Sequence, residues 1–187
     1  MRWDDLFDDL EAQLRHEQAA ALRDEINENL QVERATQDLE EVLCRLQGSA
    51  VHLQLAGGRE LAGQLGPAGP GYFCVEESRM LWVIRCEQLR QLQWPGPLPP
   101  ALPQPADSSR RPKLAAVLRQ LMRDRARTWL WDREGSLLAE GSIVQAAKDF
   151  VLLAAHAADE FPTRRTGRSP VLIPLEAIGS ACSQLAE

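Results

Sequence analysis

Leu39-Glu40-Glu41-Val42-Leu43-Cys44-Arg45-Leu46 and Leu114-Ala115-Ala116-Val117-Leu118-Arg119-Gln120-Leu121 carry one apolar spacing twice. Leu39, Val42, Leu43 and Leu46 match Leu114, Val117, Leu118 and Leu121, which is the spacing of one helix face. The segments after the two helices also repeat. A short strand-like run leads to a turn at Gly58 or Gly135, then to Leu61-Ala62-Gly63 or Leu138-Ala139-Glu140-Gly141. Tyr72-Phe73-Cys74-Val75 has its counterpart in Phe150-Val151-Leu152-Leu153. Ile84-Arg85-Cys86-Glu87-Gln88-Leu89 has its counterpart in Ile173-Pro174-Leu175-Glu176-Ala177-Ile178. A fixed internal period decides architecture before any local propensity does.

Within the first copy the alternation is that of half-buried strands. Val51, Leu53 and Leu55 alternate with polar positions, and Ala56-Gly57-Gly58-Arg59 makes a turn. Gly66 to Gly71 is expected to be a second turn, because Gly and Pro do not continue a strand there. Glu76-Glu77-Ser78-Arg79 is a third. Five short antiparallel strands at this spacing suggest a small barrel. In the second copy, Trp129 and Trp131 share one strand face. They take the places of Leu53 and Leu55 if the next turn is one residue longer, and otherwise those of His52 and Gln54. Inward placement is the expectation, since burying two indoles contributes several kcal/mol.

Composition divides the 187-residue chain differently. Residues 1–48 hold 13 acidic and 5 basic side chains, against 14 acidic and 16 basic in the rest. Trp3, Leu6, Phe7, Leu10, Leu14, Leu22, Ile26 and Leu30 recur at helical steps between the acids, so residues 1–35 read as an acidic amphipathic helical arm. Thr36 is a candidate cap for the next helix, which Gly48 ends. Residues 36–93 are the first helix and β-module. Residues 94–111 hold six of the twelve prolines and read as an extended linker. Residues 112–187 are the second helix and β-module, with about 11 extra residues at 155–169.

A helix leading into five short bent strands resembles the Sm-like fold. The residues that carry the resemblance are Val51-x-Leu53-x-Leu55, the Gly58 turn, Leu61-x-Gly63, Tyr72-Phe73 and Val83-Ile84-Arg85. The resemblance implies an α+β protein of two tandem Sm-like five-stranded barrels, each preceded by a helix, plus the arm. It also implies a nucleotide pocket at Ile-Arg-Gly, of which Ile84 and Arg85 are present while Cys86 replaces the glycine. The second copy has Ile173-Pro174-Leu175 there. The opening Arg2 to Gln13, with two such modules after it, is also similar to an uncharacterised family of high-GC actinobacteria. The basic side chains, 19 Arg and 2 Lys, suit a GC-rich genome.

No arrangement of catalytic type stands out. His16, His52 and His156 are scattered, and no phosphate loop, nucleophile elbow or metal-ligand spacing occurs. No enzyme activity, cofactor or metal is expected. No apolar run reaches the length of a membrane span. Cys44, Cys74, Cys86 and Cys182 form no C-x-x-C pair, so a reduced, cytoplasmic setting is expected. From Arg110 to Arg127 there are seven basic residues and one acid. Arg119, Arg123 and Arg127 are therefore candidate phosphate contacts, or partners of the acidic arm. Arg164, Arg165 and Arg168 lie in the inserted loop, where function often sits. The leading expectation is a non-catalytic protein that binds a protein partner or itself, a homodimer included, through the modules and the arm. The runner-up is RNA binding through Arg85, the basic helix and the 155–169 loop.

Overall fold

The computed structural model describes residues 37–100, 111–155 and 169–184. The chain divides into two compact units, Met1–Asp38 and Leu39–Glu187. Only Gln37 and Asp38 of the first are described, so the arm and the Thr36 cap lie outside the described residues. Residues 101–110 of the linker and 156–168 of the inserted loop lie outside them too.

The second unit is built on ten strands. Helix α1 (Leu39–Arg45) precedes β1 (Ala50–Leu55), β2 (Glu60–Gly69), β3 (Tyr72–Glu77), β4 (Met80–Arg85) and β5 (Leu89–Gln93). Helix α2 (Leu114–Arg123) precedes β6 (Arg127–Trp131), β7 (Leu137–Ala146), β8 (Phe150–Ala155), β9 (Val171–Pro174) and β10 (Ser180–Gln184). A short 3-10 turn precedes the last strand of each half, at Cys86–Gln88 and Leu175–Ala177. Strand order across the sheet is β5-β1-β2-β3-β4-β10-β6-β7-β8-β9, all antiparallel.

This corrects the expectation of two barrels. Each half keeps the same internal order, with its fifth strand beside its first. A closed first half would need β4 to pair with β5. Instead β4 pairs with β10, which also pairs with β6, so the halves merge into one open sheet. Strands β5 and β9 are its two edges.

The sheet carries a core on each face. Leu43 from α1 and Leu46 in the turn just after it cover Leu53, Leu65, Phe73, Val75 and Ile84. Leu118 and Leu121 from α2 cover Leu130, Ile143, Val151, Leu153 and Ile178 on the other core. The central strands serve both, because alternate side chains point to opposite faces. Phe73, Val75, Trp82, Ile84 and Cys182 go to the first core, and Tyr72, Cys74, Val83 and Ala181 to the second. Strands β3 and β4 therefore read as near-continuous apolar runs before their charged ends, whereas β10, Ser180-Ala181-Cys182-Ser183, meets burial on both faces with small side chains.

Two local expectations are also corrected. The tryptophans take the places of His52 and Gln54. Leu130 pairs with Ala139 as Leu53 pairs with Leu61, and Leu130 fills the inward position. Gly66 to Gly69 remain in β2, and only Pro70 and Gly71 turn. The β2–β3 register shifts between Leu65 and Ala68, and a bulge there accommodates Pro67, which has no N–H to give the ladder.

Two glycines hold the halves in contact. Gly57 has φ +77, and a Cβ there would collide with the backbone carbonyl of Glu134 in the β6–β7 turn. A Cβ at Gly179 would come within 2.9 Å of the Gln88 side chain of the other half, besides striking the carbonyl of Asp132 in its own.

Candidate functional site

Arg85 ends β4, where the strand passes into the Cys86–Gln88 turn. Its side chain crosses the junction between the halves. Nη1 donates to the carbonyl of Leu175 at 3.3 Å, and Nη2 meets Glu87 Oε1 at 3.5 Å. Glu87 is shared, because Arg133 Nη1 lies 3.5 Å from its Oε2. Arg133 also donates from Nε to the carbonyl of Glu176 at 2.8 Å. Arg85 Nε is buried with no hydrogen-bond partner. Beside it opens a cleft of about 360 Å³, lined by Arg85, Asp149, Pro174, Leu175 and Glu176. One guanidinium thus faces two carboxylates. That mixture suits a group offering both donors and acceptors better than a bare phosphate.

The other basic candidates are not gathered at this cleft. Arg119 and Arg123 project into solvent from α2. Arg127 starts β6, donates from Nε to Glu140 Oε1 at 2.8 Å, and holds its guanidinium 5.4 Å from the centre of Trp129. It is engaged within the fold. Arg164, Arg165 and Arg168 lie outside the described residues, as does the acidic arm expected to pair with the basic helix.

A second cluster has no signature in the sequence. Trp82 and Trp131 stack across β10, with ring centres 4.9 Å apart and planes 27° from parallel. The Arg59 guanidinium lies 4.4 Å from the centre of Trp131 and 5.1 Å from that of Trp82. The register explains the stack. Trp82 pairs with Cys182 and Trp131 with Ser180, so the indoles stand on one face and diagonally across the intervening strand. No local pattern marks Arg59, Glu87 or Arg133 as site residues, because each has a partner in the other half, Trp131 for Arg59 and the Glu87–Arg133 pair itself.

Three of the thiols, Cys74, Cys86 and Cys182, are held protonated. Burial pushes Cys74 and Cys182 up to about 12 and Cys86 up to about 11. A thiolate is the nucleophilic form, so these cysteines behave as small buried hydrophobes at neutral pH. Tyr72 is raised to about 12, by burial first and by Cys74 second, and its hydroxyl donates to the carbonyl of Pro112 at 2.9 Å. Among the described residues no group of three His, Cys, Asp or Glu side chains could hold a metal ion. Nor is any described helix long and apolar enough to cross a membrane.

Comparison with known proteins gives no relative on which the Sm-like resemblance could rest: no family model and no curated protein matches the chain.

Proposed function

We propose that the chain is a non-catalytic interaction protein that binds a protein partner by extending its open sheet. One observation carries this. Both terminal strands of the sheet, β5 and β9, lack a neighbour on their outer side among the described residues, and β9 presents Val171 and Leu172 to solvent. An unpaired edge offers a row of N–H and C=O groups, and strand addition is a common way to bind protein. The acidic arm, residues 1–35, is assigned a supporting role in capturing the partner. The absence from the sequence of any nucleophile, phosphate-loop or acid–base pattern supports a role without chemistry. Four free cysteines support a reducing, cytoplasmic setting.

RNA binding is the second reading. It is favoured by the unpartnered Arg85 Nε beside an open cleft and by the exposed Arg119 and Arg123. Asp149 and Glu176 at the cleft oppose a phosphate there. The two readings separate in a titration of the full chain against labelled single-stranded RNA at low and physiological salt. Arg85→Ala and the triple variant Arg164→Ala/Arg165→Ala/Arg168→Ala are run alongside. The protein-partner reading expects no binding even at low salt, where phosphate contacts are strongest. Submicromolar binding that either variant abolishes would make RNA the ligand and overturn it.

A further inference from the structure

We propose that Cys44 and Cys86 form a modification site, a thiol pair that hydrogen peroxide converts into a disulfide, with Cys44 as the attacking sulfur and Cys86 as the resolving one. Neither cysteine lines the Arg85 cleft or belongs to an edge strand. The proposal goes beyond the strand-addition reading and does not depend on it.

Three observations bring the two sulfurs to one place. Cys44 lies in the last turn of α1 and Cys86 opens the turn after β4, and both pack, half-buried, against the first core. Glu40 stands one helical turn before Cys44 on the same side of α1. Its Oε1 accepts the N–H of Gly71 at 2.6 Å, and the carbonyl of Gly71 accepts the N–H of Cys86 at 2.9 Å. A single residue thus links that side of α1 to the backbone of Cys86. The third observation is electrostatic. Cys86 is pushed up to about 11, by burial first, by Glu40 next, and by Cys44 among the charges that add to these. Cys44 is therefore close enough for its charge to act on Cys86.

The two thiols differ in their neighbours. Nη1 of Arg111 donates to Sγ of Cys44. A guanidinium at a sulfur favours the thiolate, the form that attacks a peroxide. Cys86 has the Glu40 carboxylate where Cys44 has a cation, so it is inert alone. Cys74 and Cys182 are buried inside the sheet, which leaves Cys44 and Cys86 as the partly exposed pair.

The chemistry balances with peroxide as the oxidant. The Cys44 thiolate attacks one peroxide oxygen. An S–O bond forms, the O–O bond breaks, and the departing hydroxide takes a proton to become water. The product is a sulfenic acid, which is uncharged, so one of the charges that hold Cys86 protonated is gone. Cys86 then gives up its proton and attacks the Cys44 sulfur. The S–S bond forms, the S–O bond breaks, and the hydroxyl leaves with that proton as a second water. The sulfurs lose the two electrons that the peroxide gains.

The test treats the full chain with hydrogen peroxide, blocks the remaining thiols by alkylation and maps the peptides by mass spectrometry. One intrachain Cys44–Cys86 cross-link is expected, reversed to four free thiols by dithiothreitol. In Cys86→Ser, Cys44 should stop at the sulfenic acid, trapped by dimedone. In Cys44→Ser, Cys86 should remain a thiol. Arg111→Met should slow the loss of the Cys44 thiol several-fold, with an unchanged far-UV spectrum. A chain that keeps four free thiols, stops at a Cys44 sulfenic acid, or cross-links Cys74 or Cys182 instead overturns the pair. Oxidation of Cys86 in Cys44→Ser at the parent rate overturns the assignment of roles. An unchanged rate in Arg111→Met overturns the part given to the arginine.

Discussion

Strands β1 and β6 hold the same position in the two halves, yet they carry opposite chemistry on their outer faces. β1 presents His52 and Gln54, whereas β6 presents Trp129 and Trp131 at the matching places. The difference comes from their neighbours. Beyond β1 lies only β5, so that face is free to be polar. Beyond β6 lies β10 and then β4, so the same face runs into the first core, where Trp131 packs. A residue's inside and outside are therefore set by the junction as much as by its own half.

The largest expected effect tests whether the halves are independent. Leu53 and Leu130 are equivalent and fully buried in different cores. Each Leu→Ala change should cost ~2–5 kcal/mol. Because β3, β4 and β10 contribute to both cores, either change should shift one common denaturant transition, monitored by far-UV dichroism and tryptophan fluorescence together. Two separated transitions, with only one displaced by each variant, would show that the halves unfold alone and would break the comparison.

A smaller effect sharpens it. Trp131→Ala removes the stack on Trp82 and the Arg59 contact, at a cost of about 2–3 kcal/mol. Gln54→Ala at the equivalent position should stay within about 0.5 kcal/mol. Equal midpoints for the two variants would mean that the outer face of β6 is not part of the first core.

The smallest effect reads burial chemically. Cys74 faces the second core and Cys182 the first, and both thiols are pushed up to about 12 by burial. At about pH 8 they should react with a disulfide reagent far more slowly in the native protein than in denaturant. The same shift sets the sign for stability. The folded thiols hold protons that an unfolded chain, with its ordinary value of 9.0, releases. Their contribution is complete below that pH and is lost as pH rises toward about 12. Native thiols that react at the unfolded rate would contradict burial of β3 and β10 on both faces.

Much of this architecture is legible in the residues alone. The second helix quartet lies wholly in α2, and the first lies in α1 except for Leu46 in the turn after it, with Leu43, Leu46, Leu118 and Leu121 buried. The alternation of Val51, Leu53 and Leu55 appears in the burial of β1. The Gly58 and Gly135 turns lie where the repeat puts them, both at positive φ. Arg85 is a candidate from sequence, and it lines the described cleft. Its partners Leu175, Glu176 and Asp149 carry no such mark, because they sit 64 to 91 residues further along the chain.

The sequence by itself determined the repeat, the helix faces, the strand count and the Gly58 and Gly135 turns, because each rests on side-chain period and backbone allowance over a few residues. Tertiary structure alone decided that β4 takes β10 instead of closing on β5. That choice fixed the open sheet, the two faces of the core, the outward turn of Trp129 and Trp131 and the position of Arg85. The physical reason is that an unpaired strand edge accepts any edge of compatible register. Which edge wins depends on the apolar surface buried across the whole junction, a quantity no local window contains.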